Sequence, residues 1–188
     1  MAVCIHAHMY QPSREDPWTG AWPEQPSAAP WRDWNTRIAA ECYAPNGAAR
    51  LLDGQGRTRG VRNNWADLSF DVGPTLLQWL ERHRPVVYRT LLEADRLSLE
   101  RTGHGAAIAQ GYHHAILPLC DPLDRRTEVH WGLHDFAARF GRPAEGLWLP
   151  ETAICTDTLE VLAAAGYRVV GHAGDATENY RNLGFVSE

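Results

Sequence analysis

Gly146-Leu147-Trp148-Leu149-Pro150-Glu151 is a short apolar run that ends on a proline and delivers one carboxylate just past it. Pro150 has no amide proton to give to a sheet ladder, so a central strand stops there. The stretch therefore predicts a strand over 146–149 with Glu151 at its mouth, where open parallel sheets and barrels place their chemistry. A tryptophan beside a carboxylate suits sugar binding and sugar chemistry. The same stretch also reads as a loop glutamate next to a buried tryptophan.

Working outward, the chain opens on Ala2-Val3-Cys4-Ile5, followed by His6-Ala7-His8 and then Gln11-Pro12. This predicts a first strand over 2–7. Strand alternation puts His6 and His8 on one face. Paired imidazoles there bind a metal, hydrogen-bond a polar ligand, or simply satisfy each other at a strand end. Residues 9–33 read as a long loop carrying Pro12, Trp18, Trp22, Pro26, Pro30 and Trp31. Loops of that length in a compact domain are usually functional.

Further strands are expected over 67–71, 106–109 and 167–170. Helices are expected over 33–42 capped by Asp33, over 46–52 capped by Asn46, from Pro74, and over 85–101 from Pro85. In the last of these Val87, Leu91, Ala94 and Leu97 face inward, with Glu93 and Asp95 on the solvated side. Helix 124–140 turns Val129, Leu133, Phe136 and Phe140 inward and ends at Gly141. Helix 157–165 is capped by Thr156 and stopped by Gly166. Strands alternating with helices point to a parallel α/β architecture, sheet or barrel. Polar residues follow the strand ends at His6/His8, Ser69/Asp71, His113/His114 and Glu151, and a parallel barrel brings such ends to one face.

Composition narrows the function classes. At 188 residues and 44% hydrophobic content the chain suits one domain with a sizeable core. A net charge of -5 and no basic stripe give no footprint for nucleic acid. No apolar run reaches membrane-spanning length and no signal peptide opens the chain, so no membrane is expected and the default location is cytoplasmic. Cys4, Cys42, Cys120 and Cys155 lie far apart, which fits reduced thiols rather than a zinc knuckle. All 18 basic residues are arginine. Schiff-base chemistry, pyridoxal phosphate attachment and a phosphate-loop lysine are thereby excluded. Tryptophan is frequent, with 8 in the chain, as in carbohydrate-binding faces, although each also fits a core.

Four stretches in order resemble glycoside hydrolase family 57, the α-glucan-active enzymes built on a (β/α)7 barrel. They are His6-Ala7-His8-Met9-Tyr10-Gln11-Pro12, Phe70-Asp71-Val72-Gly73-Pro74-Thr75-Leu76-Leu77-Gln78-Trp79-Leu80, His114-Ala115-Ile116-Leu117-Pro118-Leu119 and Trp148-Leu149-Pro150-Glu151. The likeness is nearest to a poorly characterised subgroup that shares Asp33-Trp34-Asn35 and Glu41-Cys42-Tyr43-Ala44-Pro45-Asn46. It implies a parallel (β/α)7-type barrel of which residues 1–173 form the N-terminal part, followed by an atypical polar tail over 174–188.

The resemblance further implies a retaining mechanism on an α-glucan or oligosaccharide, by hydrolysis or transfer, with Glu151 as nucleophile. His6, His8, Gln11, His114 and Trp148 would contact the sugar, and neither metal nor cofactor is needed. A retaining enzyme also needs a second carboxylate as acid/base, which the family takes from a later strand. The chain stops 37 residues after Glu151, and Asp175 falls too early for that part. The chain therefore reads as truncated before its acid/base and inactive alone on natural glucans. Two other readings stand beside this one: a metal-dependent hydrolase or deacetylase using His6 and His8 with His113, His114 or His172, and a non-catalytic glucan-binding module.

Overall fold

A computed structural model describes residues 4–166 and the backbone of 170–171. The chain divides into two compact units. The first takes Met1–Ala7, Gln11–Ser69 and Thr75–Ala106, and the second His8–Tyr10, Phe70–Pro74 and Ala107–Glu188.

β1 (His6–Met9) starts later than the expected strand and contains both histidines, His6 in the first unit and His8 in the second. The reason is local. Ser69 N–H donates to the Ile5 carbonyl at 3.0 Å, and Ser69 Oγ lies 2.9 Å from His6 Nδ1. A satisfied imidazole does not end a ladder. After the long loop, buried Asp33 caps α1 (Trp34–Ile38) by accepting from Thr36 N–H at 2.8 Å, as expected. The helix does not stop there. It passes through one wide turn, in which Ala44 N–H reaches back five residues to the Ala39 carbonyl, into α2 (Ala44–Gly47).

A helix over 46–52 does not form. β2 (Ala49–Leu52) pairs antiparallel with β3 (Thr58–Arg62) instead. The Asp53 side chain decides this, because its Oδ1 accepts from Gln55 N–H and Arg57 N–H, both at 2.9 Å, and closes the turn. β4 (Ser69–Val72), α3 (Pro74–His83) and α4 (Pro85–Thr102) follow, each helix beginning on its proline. Helix α4 buries Val87, Leu91, Ala94, Asp95 and Ser98, while Leu97 is 36% exposed. The buried stripe is rotated from the expected one, and Asp95 lies in the interior rather than on the solvated side.

The second unit contains β5 (Ala107–Gln110), α5 (Pro122–Phe140), β6 (Leu147–Trp148), α6 (Thr156–Ala164) and β7 (Val170–Gly171). The sheet order is β1-β4-β5-β6-β7. β4, β5, β6 and β7 pair in parallel, with Asp71 opposite Ile108 and Gln110 opposite Trp148. This is the expected parallel α/β architecture. Phe70, Ala107, Ala109, Leu147 and Leu149 are buried, with Val129 and Phe136 buried on α5 and Leu162 on α6. Gly141 closes α5 in the left-handed region at φ 70°. Cys155, not Thr156, stands at the cap of α6, with its Sγ 3.3 Å from Thr158 Oγ1. Of the strand expected over 167–170 only Val170 is described, and the tail 174–188 lies outside the described residues. No described helix is long and apolar enough to cross a membrane.

Helix α5 meets the end of β5 at Gly132. A Cβ built there would stand 2.0 Å from the Gln110 carbonyl oxygen, which belongs to backbone and cannot swing aside. Gly132→Ala is therefore expected to cost about 2 kcal/mol or more of stability, as overpacking does. The urea midpoint measures it, and a variant within ~0.5 kcal/mol of the parent would show that the helix slides freely on the strand end.

Candidate active site at the strand ends

The site lies in the second unit, where four parallel elements end. It is built on a carboxylate with no exposed surface. Asp71, in β4, is 0% exposed. Its Oδ2 lies 2.8 Å from His8 Nδ1 in β1 and 2.6 Å from Gln110 Nε2 at the last position of β5. A carboxylate only accepts, so both nitrogens donate to it. That orients the Gln110 amide, and its Oε1 accepts a hydrogen bond from His114 Nδ1–H at 2.7 Å. The chain of bonds runs His8–Asp71–Gln110–His114.

His114 Nε2 then points at the end of β6. It stands 3.3 Å from Glu151 Oε1, yet makes no aligned hydrogen bond with any protein atom. Burial, and next the neighbouring His8 charge, push the His114 imidazole below its ordinary range; Glu151 and Asp71 pull it the other way. The His114 side chain is 4% exposed, whereas that of Glu151 is 64% exposed and open to a ligand.

Aromatic rings stack through the same site. His8 stacks on His114 and on Trp148, each with centroids 5.0 Å apart, and Tyr10 stacks on His114 at 3.9 Å. The loop bearing His114 is held from α5, where buried Glu128 accepts from His113 N–H at 2.7 Å and from His113 Nδ1 at 2.6 Å.

Backbone strain is concentrated here. Among the described residues the non-glycine positions with positive φ are His114 (59°), Glu151 (54°) and Thr152 (56°). Each such residue costs on the order of 1–3 kcal/mol and persists only where its surroundings over-determine it. Pro150 ends β6, and the turn is closed by Thr152 N–H to the Leu149 carbonyl and Ala153 N–H to the Pro150 carbonyl. The outcome lifts the Glu151 side chain out of the strand line.

Of the residues singled out from sequence, His8, His114, Trp148 and Glu151 meet in this unit. His6 and Gln11 belong to the first unit. His6 is bonded to Ser69 there, and Gln11 Oε1 accepts from Arg14 Nη2 at 2.6 Å. Asp71 was named only among the polar residues at strand ends, and Tyr10, Gln110 and Glu128 were given no role. Asp71 and Gln110 did carry a signal: each is a polar residue in or directly after an apolar strand, where burial without a partner is costly. Among the described residues no three His, Cys, Asp or Glu side chains form a metal-ligand group.

A family model described as Glycosyl hydrolase family 57 matches residues 5–182. An α-amylase of Pyrococcus abyssi is 28% identical over 103 residues, covering 55% of this chain and 15% of that protein. A 4-α-glucanotransferase of Thermococcus litoralis is 31% identical over 98 residues, covering 52% of this chain and 14% of that one. The crystal structure of an exo-type maltose-forming amylase from Pyrococcus sp. ST04 superposes with a TM-score of 0.61 at 18% identity, over 89% of this chain and 28% of that one. The chain thus spans about a seventh of the length of the two sequence relatives. The superposition shows the shared fold, of which this chain holds a part.

Because folded His114 holds its proton less readily than an unfolded imidazole, it is expected to titrate below about 6.5. The linked stability is full above that value and declines as pH falls from about 6.5 toward the lower folded value, where the unfolded state binds more protons. Glu151→Gln removes an upward pull and should lower the His114 midpoint further. NMR titration of the imidazole proton measures both, and a midpoint above 6.5 would contradict the assignment.

Proposed function

The chain belongs to glycosyl hydrolase family 57, and on that premise we propose that it carries the nucleophile side of a retaining α-glucan hydrolase or transglycosidase site, with Glu151 as the nucleophile. The observation that carries the reading is the placement of Glu151: an open carboxylate, on a strained left-handed residue at a strand end, beside a buried imidazole. Family relatives named as α-amylase and 4-α-glucanotransferase support an α-glucan as substrate and leave both water and a sugar hydroxyl as acceptors. The free thiols of Cys4, Cys42, Cys120 and Cys155 support a reducing, cytoplasmic setting.

In this reading Glu151 attacks the anomeric carbon and forms a covalent glycosyl-enzyme as the leaving oxygen departs. Water or a second sugar then attacks the same carbon and regenerates the carboxylate. Trp148, His8, His114 and Tyr10 present ring edges and faces to the sugar. The reaction also needs a proton donor for the leaving oxygen, a carboxylate about 5–5.5 Å from the nucleophile. Asp71 and Glu128 are bonded to His8, Gln110 and His113, so neither serves.

The test bypasses the acid, because fluoride leaves without protonation. The protein is incubated with 5-fluoro-α-D-glucosyl fluoride and its intact mass taken. A gain of one fluoroglucosyl group, mapped to Glu151 and absent in Glu151→Gln, is the expected result. A folded chain that binds maltose yet gains no mass, or gains it at another residue, would overturn the nucleophile assignment and leave a glucan-binding module.

A further inference from the structure

We propose that Gln110 is a positioning residue that turns His114 Nε2 into a dedicated acceptor for the hydroxyl on C2 of the bound glucose. The inference deepens the sugar-site reading above and rests on it. It starts from a direction of donation that the protein cannot reverse. Asp71 is wholly buried and accepts at Oδ2 from both His8 and Gln110. Gln110 is 1% exposed, so no solvent competes for its amide. With its NH2 spent on the carboxylate, Gln110 can offer His114 only an oxygen. His114 must therefore carry its proton on Nδ1.

The consequence lies at the other nitrogen. The neutral ring has a bare lone pair at Nε2, buried and without a hydrogen-bond partner. Facing it at 3.3 Å is Glu151 Oε1, a second acceptor. Glu151 is open to solvent, so a donor that enters beside it and bonds to both acceptors satisfies the nitrogen. Glu151 Oε1 approaches C1 of the sugar. The ring oxygen beside C1 has no proton, so the nearest donor to that point is the hydroxyl on C2. Its proton is shared between His114 Nε2 and the nucleophile oxygen. Removing the hydroxyl leaves the buried nitrogen unpaired, and sites that hydrogen-bond a substrate hydroxyl discriminate strongly against its loss. His114 touches the sugar; Gln110 and Asp71 act only through it.

The tautomer is read by long-range proton–nitrogen NMR on histidine-labelled protein, and maltose affinity by titration of the same His114 resonances. The wild type is expected to show Nδ1–H, a shift of the Nε2 resonance on adding maltose, and about tenfold or more weaker binding of a maltose lacking the C2 hydroxyl on its non-reducing glucose. Asp71→Asn keeps the shape but lets the Gln110 amide turn over. His114 should then carry Nε2–H, and the difference between the two sugars should vanish. Gln110→Met should leave His114 in mixed tautomers, which keeps the test open if the Asp71 variant does not fold. Nε2–H in the wild type, an unmoved Nε2 resonance at saturating maltose, or unchanged discrimination in the folded variants would each overturn the proposal. None of these readouts needs turnover. A chain that passes them and takes no covalent label loses the nucleophile assignment alone.

Discussion

A fully buried carboxylate is the constraint around which the second unit is organised. An ionised group out of water costs several kcal/mol unless its oxygens are hydrogen-bonded. Asp71 is satisfied by donors from two different strands, His8 on β1 and Gln110 on β5. Those bonds do more than stabilise an ion. They fix the register of polar side chains across three neighbouring strands, and they fix the direction of every proton between His8 and His114. An aspartate at the same place but open to solvent would do neither.

Other parts of the site carry backbone strain. His114, Glu151 and Thr152 occupy the left-handed region, where a β-branched residue such as Thr152 is least at ease. What offsets the strain is packing close behind it. Glu128 holds His113 by backbone and side chain. Gly132 allows α5 to touch the carbonyl of Gln110. Gly111 sits against Glu128 Oε2 and Pro150 Cγ, both 3.6 Å from where its Cβ would be. The helix thus braces the loop that carries His114. The nucleophile candidate is consequently the exposed tip of a rigid assembly, the arrangement that positional catalysis requires.

Much of this was legible in the sequence, and the failures have physical causes. Strand ends marked by Pro150, helix starts at Pro74 and Pro85 and the stop at Gly141 were readable because proline and glycine act through the local backbone. Glu151, His8, His114 and Trp148 were readable because polar or aromatic residues follow apolar runs. The helix expected over 46–52 failed because one side chain, Asp53, closes a hairpin turn that periodicity does not register. Asp95 was placed in solvent and lies inside, since a charge says nothing about the partner that permits burial. Gln110 and Asp71 went unassigned for the same reason: their role exists only once β4 and β5 are neighbours, and pairing is not a local property.

The stacked imidazoles also bear on what ligand the site takes. Two histidines hold one zinc ion when in-plane lone pairs converge on a point ~2.0–2.1 Å from each nitrogen. His8 and His114 lie face to face, 5.0 Å apart and within 24° of parallel. His6, the partner of His8 in a metal reading from sequence, lies 2.9 Å from Ser69 Oγ through its Nδ1. An aromatic stack of this kind offers a ligand both ring edges and apolar faces. The faces of Trp148 and Tyr10 extend the stack on either side of the two imidazoles, and the Nδ1 edges are spent on Asp71 and Gln110. The buried carboxylate therefore fixes which edge of each imidazole is spent inside the protein.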